Sequence, residues 1–127
     1  MDSTLSYVYY NLGKLYGLKD QSKDSSMYFY GRAVTLDPDR FHDICHTIAD
    51  FYYDKKDLAS ARQYYEFALG TPSFTRDQDL ERLIGILVAQ KNPAAASDAL
   101  KKYLNPRYDN DLLARLTSLI NQATDNK

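Results

Sequence analysis

The 127-residue sequence lacks tryptophan and has a single cysteine and only two histidines. With Cys45 alone no intrachain disulfide can form, and the residue reads as a small buried hydrophobe rather than a nucleophile. An excess of charge of either sign is also missing. Sixteen basic residues against 17 acidic give a formal net charge of -1, which offers no broad attraction for nucleic acid or an anionic membrane. No apolar run approaches the roughly 18 residues needed to span a bilayer. Met1 is followed by Asp2 and Ser3, not by a basic and then apolar signal region. The chain as written is therefore expected to be soluble, with a cytoplasmic location favoured unless it is a piece of a longer protein. There is no Gly-rich phosphate loop, nucleophile elbow or cysteine pair, so neither a catalytic centre nor a cofactor is expected. No segment alternates with period two, which argues against a sheet. The length is that of about one domain, able to bury on the order of two thirds of its unfolded surface.

Tyrosine, by contrast, occurs 12 times, and it can act as a half-buried packing unit or as amphipathic contact surface. Several of these tyrosines fall in a repeat. Tyr9, Leu12, Gly13 and Tyr16 match Cys45, Ile48, Ala49 and Tyr52 at a constant spacing of 36, and Tyr30 and Ala33 match Tyr65 and Ala68 at 35. A third copy follows 35 residues after the second, through Leu80, Leu83, Ile84 and Leu87, then Ala96, Leu100 and Tyr103. Apolar residues within each copy recur at i, i+3 and i+7, the stripe of an amphipathic helix. Helices are predicted over residues 3–17, 24–36, 38–54, 58–69, 76–90, 93–104 and 109–123. Asp37-Pro38 and Asn92-Pro93 each place a side-chain acceptor at the N-cap and a proline at the first helical position. Asp57 is a further cap, as is Thr75 with Gln78 completing a capping box, and Gly70 suits a helix end. KDQSKDSS and KKDL read as polar turns. Short connections make successive helices antiparallel neighbours.

The pattern resembles the tetratricopeptide repeat, whose signature is W-x2-L-G-x2-Y, then A-x3-F, an Ala and a Pro. The first unit carries it as Tyr9-x2-Leu12-Gly13-x2-Tyr16, then Ser26, Tyr30, Ala33 and Pro38. The second has Cys45, Ile48, Ala49, Tyr52, Ala61, Tyr65 and Ala68, with Ser73 at the Pro place and Pro72 before it. The third keeps Ala96 and generic apolar residues and has Ile84 at the Gly place, so its helices are expected to pack more loosely or at another angle. The resemblance implies an all-α fold of about seven helices, a right-handed α-solenoid of antiparallel hairpins. It further implies a single domain over 1–127 with repeats near 5–38, 41–73 and 76–106 and a cap helix at 109–123. That cap, DLLARLTSLINQA, has Leu112, Leu116, Leu119 and Ala123 on one stripe and Arg115, Ser118, Asn121 and Gln122 on other faces; Thr124 to Lys127 are expected to fray. A glycine inside a helix costs about 1 kcal/mol relative to alanine, so Gly13 needs a packing reason. Close crossing of the paired helices supplies one: Gly13 against Ser26, then Ala49 against Ala61, with Tyr30 and Tyr65 bridging to adjacent helices.

By the same resemblance the first helix of each unit lines a concave groove. Its residues would be Tyr7, Tyr10 and Lys14 in the first unit, Asp43, His46, Asp50 and Tyr53 in the second, and Gln78, Glu81, Gly85 and Val88 in the third. Such a groove is aromatic at its start and acidic in its middle. The expected function is non-catalytic binding of a partner-protein segment carrying a basic or hydrogen-bonding side chain, with Tyr7, Tyr10 and Tyr53 as anchors and Asp43, Asp50 and Glu81 as charge partners. The family's clamp for a C-terminal carboxylate is not expected, because its places hold Tyr10, Lys14, Thr47, Gln78 and Arg82, and only Arg82 matches.

Two alternatives come from other features. Tyr7, Val8, Tyr9 and Tyr10 are consecutive and cannot all face one core, which points to an N-terminal face used for self-association or for docking to another domain. His42 and His46, at i and i+4 with Asp43 and Asp50 nearby, form a candidate metal site, although Asp43 stands where zinc hydrolases carry a glutamate.

Overall fold

The computed structural model describes residues 3–18, 23–70, 76–104 and 110–125, which form seven helices and no strand. In order they are α1 (Ser3–Gly17), α2 (Lys23–Leu36), α3 (His42–Asp54), α4 (Leu58–Leu69), α5 (Arg76–Ala89), α6 (Pro93–Tyr103) and α7 (Asn110–Asp125). They divide between two compact units, Met1–Thr71 with α1 to α4 and Pro72–Lys127 with α5 to α7.

In the first unit α1 pairs with α2 and α3 with α4, and α2 packs on α3. Gly13 explains how the first pair closes. Ser26 Oγ on α2 donates a hydrogen bond to the Gly13 carbonyl at 2.7 Å, and a Cβ at Gly13 would stand 2.6 Å from Cδ1 of Tyr30. The missing side chain makes room for the Tyr30 ring, and the serine fastens the crossing. In the second pair Ala49 and Ala61 are both fully buried, and Tyr65 on α4 donates its hydroxyl to Asp50 Oδ1 on α3 at 2.5 Å. A small residue also operates between the hairpins. Gly31 on α2 admits the hydroxyl of Tyr64 from α4, which any Cβ there would strike. Around these crossings Met27, Val34, Phe41, Cys45, Ile48 and Ala68 form a buried core. Cys45 belongs to it as a buried thiol outside any disulfide, its Sγ donating to the Phe41 carbonyl at 3.6 Å.

One helix boundary departs from expectation. Asp37-Pro38 does not start α3 but opens a separate turn, closed by the Phe41 amide donating to the Asp37 carbonyl at 3.3 Å. The Asp37 carboxylate accepts instead from the Arg40 amide at 3.4 Å and from Arg40 Nε at 3.0 Å. Aspartate-proline serves a turn as well as a helix start, and here the arginine three residues on captures the carboxylate. Helix α3 then begins after Phe41, which makes no side-chain cap.

The other described caps are as expected. Asp57 accepts from the Ser60 amide and Asn92 from the Ala95 amide, the latter with Pro93 opening the helix. Gly70 follows α4 with a right-handed φ of -67°. The Thr75 cap, Pro72 and Ser73, residues 19–22 of the KDQSKDSS stretch, and Asn105 to Tyr108 lie outside the described residues.

Two turns are alike in detail. Lys56 and Lys91 have left-handed φ of 66° and 58°, and each precedes the capping residue of the next helix. Asp57 N donates to Tyr52 O and Asn92 N to Leu87 O, both at 2.9 Å, while Lys56 N donates to Tyr53 O and Lys91 N to Val88 O, both at 3.0 Å. Such a six-to-one closure satisfies carbonyls left open at a helix end.

In the second unit α5, α6 and α7 pack on one another, burying Leu80, Leu83, Ile84, Leu87, Ala96 and Leu100. The buried stripe of α7 runs through Leu112, Leu116 and Ile120; Leu119 and Ala123 are half-buried at its edge, and Arg115, Ser118, Asn121 and Gln122 are exposed. Helix α7 extends past the predicted end at residue 123, to Asp125, with the Thr124 hydroxyl donating to the Ile120 carbonyl at 3.1 Å; residues 126 and 127 lie outside the described residues.

Candidate functional site

Within the first unit, α1 and the start of α3 present most of the residues singled out for the groove. Tyr10 stacks on Phe41 with ring centroids 4.9 Å apart, and Tyr7 meets the same ring edge-on at 5.7 Å. Phe41 itself is buried. Arg40 completes the cluster: its Nη1 donates to the Tyr7 hydroxyl at 2.7 Å, and its guanidinium lies 5.0 Å from the Tyr7 ring centroid. Hydrogen bonds from the guanidinium to Asp37 and to Tyr7 both raise the Arg40 pKa, so this charge is permanent. Lys14 holds its ammonium 5.7 Å from the Tyr10 centroid. Tyr7 is nevertheless 43% exposed. It is an aromatic ring fixed from below by Phe41 and at its hydroxyl by Arg40, with one side open to water.

The α3 residues divide differently. Asp43 is exposed, and His46, Asp50 and Tyr53 are half-buried. The Asp50 carboxylate takes the Tyr65 hydroxyl on Oδ1 and stands 2.9 Å from His46 Nε2 through Oδ2. Tyr53 meets Tyr65 edge-on at 6.3 Å. His46, Asp50 and Tyr53 therefore take part in closing the second hairpin, and Asp43 is the member of this set that stays exposed. His42 does not join His46: its Nδ1 lies 3.0 Å from the Asp39 carbonyl oxygen, while His46 pairs with Asp50. The two rings have different partners.

On the second unit Gln78 is exposed on α5, and Glu81 accepts from Arg115 Nη1 of α7 at 2.7 Å. Gly85 on the same helix has open space where a Cβ would be, and Val88 is half-buried.

Phe41 and Arg40 are the site residues that sequence periodicity missed. A helix running from residue 38 places both inside it at unremarkable positions. The available signal was Asp37 followed three residues later by Arg40, a spacing that allows the carboxylate to be captured in a turn.

No helix among the described residues is long and apolar enough to cross a membrane. Comparison with curated proteins and with solved structures gave no significant match. The family model for the tetratricopeptide repeat, however, matches residues 6–40 and 42–70, just over half of the chain. The matched stretches coincide with the two hairpins α1/α2 and α3/α4, whose crossings carry the signature residues Gly13, Tyr30, Ala49 and Ala61. Repeats of this kind generally mediate protein–protein interaction. By its sequence and by the packing of these hairpins, the chain belongs to the tetratricopeptide repeat family.

Proposed function

We propose that the surface shared by α1 and α3 binds an extended segment of a partner protein and performs no catalysis itself. The observation that carries this reading is Tyr7, a half-open ring held on two sides by Phe41 and Arg40. A rigid aromatic loses little freedom when a ligand covers it, and such residues contribute disproportionately to interface energies. Asp43, exposed on α3, is the charge partner for a basic side chain of the segment and acts mainly on specificity and association rate. Tyr10, Lys14, His46, Asp50 and Tyr53 border this surface. Gln78 and Glu81 contribute to the second unit's own surface on α5. The test is selection of peptides on the full chain, followed by titration of the selected peptide into wild type and into Tyr7→Ala/Asp43→Lys. Enriched peptides should carry a basic residue, and the double variant should lose at least tenfold in affinity with its helical signal unchanged. Equal affinity for both chains would remove this surface from the function.

We further propose that α5 and α6 form a third, divergent repeat closed by α7. The support is the turn at Lys91-Asn92, which repeats the backbone hydrogen bonding of Lys56-Asp57. Leu116, 1% exposed on the inner stripe of α7, should then cost about 2–5 kcal/mol when cut to alanine. A loss below about 1 kcal/mol in urea unfolding would show that α7 does not close the unit.

A further inference from the structure

Where the end of α1 meets the start of α2, the first hairpin holds a cleft of about 560 Å³. Its walls are largely apolar: Met27 is 7% exposed, Tyr30 is half-buried, and Leu18 borders it with 83% of its surface open. Gly17 lines it without a side chain, and a Cβ there would come within 3.1 Å of Ser26 Oγ. A cleft of this size, mostly apolar with a few polar groups, is the usual form of a small-molecule site.

The unpartnered polar groups at this cleft are donors. Lys14 on α1 and Lys23 on α2 both line it, and neither forms an ion pair among the described residues. Each ammonium lies over a ring instead, Lys14 at 5.7 Å from the Tyr10 centroid and Lys23 at 5.8 Å from that of Phe51. A ring steadies a cation without neutralising it. The carboxylate next to Lys23, that of Asp24, is taken by Lys55 at 2.9 Å, and none of the described residues that line the cleft is acidic. Tyr30 adds a hydroxyl with no hydrogen bond to another described residue. Burial raises its pKa above the usual 10.0, with a smaller contribution from Tyr10, so it keeps the proton it can donate. Ser26 differs, because its proton is already given to the Gly13 carbonyl.

We propose that this cleft binds a small phosphate monoester with an apolar body. The match is one of charge and of donors. A phosphate monoester carries about -1.5 to -2 charges at neutral pH and three strong acceptor oxygens, and it faces two uncompensated ammonium groups and one phenol hydroxyl. A carboxylate or a sulfate ester brings a single negative charge and leaves one ammonium unmatched. Met27, Leu18 and the Tyr30 ring receive the apolar body. Lys14 also borders the surface proposed for the partner segment, but Leu18, Lys23 and Met27 do not belong to that surface, so the cleft is a second site that does not depend on the first.

Calorimetric titration of phenyl phosphate into the full chain tests this. Binding should saturate at one site per chain, and phenyl sulfate, alike in shape with a single charge, should bind about tenfold more weakly. Inorganic phosphate, which lacks the apolar body, should also bind more weakly. Lys14 and Lys23 are exposed, so Lys14→Gln and Lys23→Gln should keep the helical circular dichroism while each lowers the affinity for phenyl phosphate about tenfold. No saturable binding of phenyl phosphate, equal binding of phenyl sulfate or of inorganic phosphate, or undiminished affinity in either lysine variant overturns the proposal. A tyrosine-phosphorylated peptide that binds where phenyl phosphate does not would overturn it too, and would assign the lysines to a partner protein. Tyr7→Ala/Asp43→Lys should leave the affinity for phenyl phosphate unchanged, and Lys23→Gln should leave that for the selected peptide unchanged, so failure of one site is distinct from failure of the other.

Discussion

Replacing Gly13 by alanine sets two effects of opposite sign against each other. In an unobstructed helix the change stabilises by about 1 kcal/mol, because alanine gives up less backbone freedom on folding. Gly85 supplies the unobstructed case, with nothing within 4 Å of an added Cβ. At Gly13 the same methyl group would lie 2.6, 2.8 and 3.0 Å from three ring carbons of Tyr30, well inside the ordinary carbon contact of about 3.5–4.0 Å. The ring would have to move by close to 1 Å, and Tyr10, with its centroid 5.5 Å away, limits where it can go. Moving the helices apart instead would stretch the 2.7 Å bond from Ser26 to the Gly13 carbonyl. Overpacking of this kind costs about 1–3 kcal/mol, and the strained hydrogen bond puts about 1 kcal/mol more at risk. The balance is a net destabilisation of about 1–3 kcal/mol for Gly13→Ala, against a gain of about 0.5–1 kcal/mol for Gly85→Ala. Thermal unfolding followed by circular dichroism reads both, at about 3–6 °C per kcal/mol for a chain of this size. Gly13→Ala/Tyr30→Leu should recover part of the loss, since the smaller side chain leaves room for the methyl group. If Gly13→Ala stabilises as much as Gly85→Ala, the close crossing is not what Gly13 is for.

Further consequences follow from the turns and from the buried phenols. Lys91→Gly should stabilise by about 0.5–1 kcal/mol, because a non-glycine residue in the left-handed region costs about 1–2 kcal/mol and glycine recovers part of that; Lys56→Gly should do the same, and a lower urea midpoint in either variant would count against a left-handed turn. Tyr65→Phe should cost about 1–3 kcal/mol by leaving Asp50 without its hydroxyl donor, and an unchanged melting temperature would dismiss that bond as a support of the second hairpin. Burial raises the phenol pKa of Tyr30, Tyr52 and Tyr64 above 10.0, with smaller contributions from Tyr10 at Tyr30, from Asp57 and Asp24 at Tyr52, and from Tyr52 at Tyr64. The folded state then holds these protons more tightly than the unfolded chain, so their contribution to stability is fully present below pH 10 and declines as the pH rises through the folded values. Denaturant titrations at stepped alkaline pH, with phenolate absorbance recorded alongside, should show the decline; constant stability there would contradict the burial.

The parts of the fold that could be read from sequence are those set by burial. Gly13, Tyr30, Ala49, Ala61 and Tyr65 recur at fixed intervals because two helices can cross closely only where one side is small, and that requirement returns with every hairpin. The start of α3 was not legible for the opposite reason. Aspartate-proline serves two backbone conformations, and the choice between them is made by Arg40, whose guanidinium binds Asp37 and Tyr7 together. Periodicity carries no trace of such an arrangement because it involves one arginine, used once. Gly31 escaped notice similarly: the residue it accommodates, Tyr64, lies 33 positions away in the neighbouring hairpin. The family model matches residues 6–40 and 42–70, yet Lys91-Asn92 on the second unit has the same backbone turn as Lys56-Asp57, which is what supports the third repeat proposed above. Side chains of a repeat can be exchanged for others of similar volume, whereas the carbonyls at a helix end must find donors in every copy.

The four consecutive residues Tyr7 to Tyr10 show how one short segment is divided among different tasks. Successive residues of a helix are turned by 100°, so adjacent ones point in different directions, while Tyr7 and Tyr10, three apart, both reach Phe41. Tyr10 stacks on Phe41 and joins its hairpin to the next. Tyr9 lies against Phe29 within its own hairpin. Tyr7 leans edge-on against Phe41 while keeping one side open, and Val8 stands exposed, as do Leu5 and Leu15. Tyr9 and Tyr10 are half-buried, whereas Tyr7 and Val8 are exposed. Since Tyr7 and Val8 point in different directions, a segment bound over Tyr7, as proposed above, would leave Val8 uncovered.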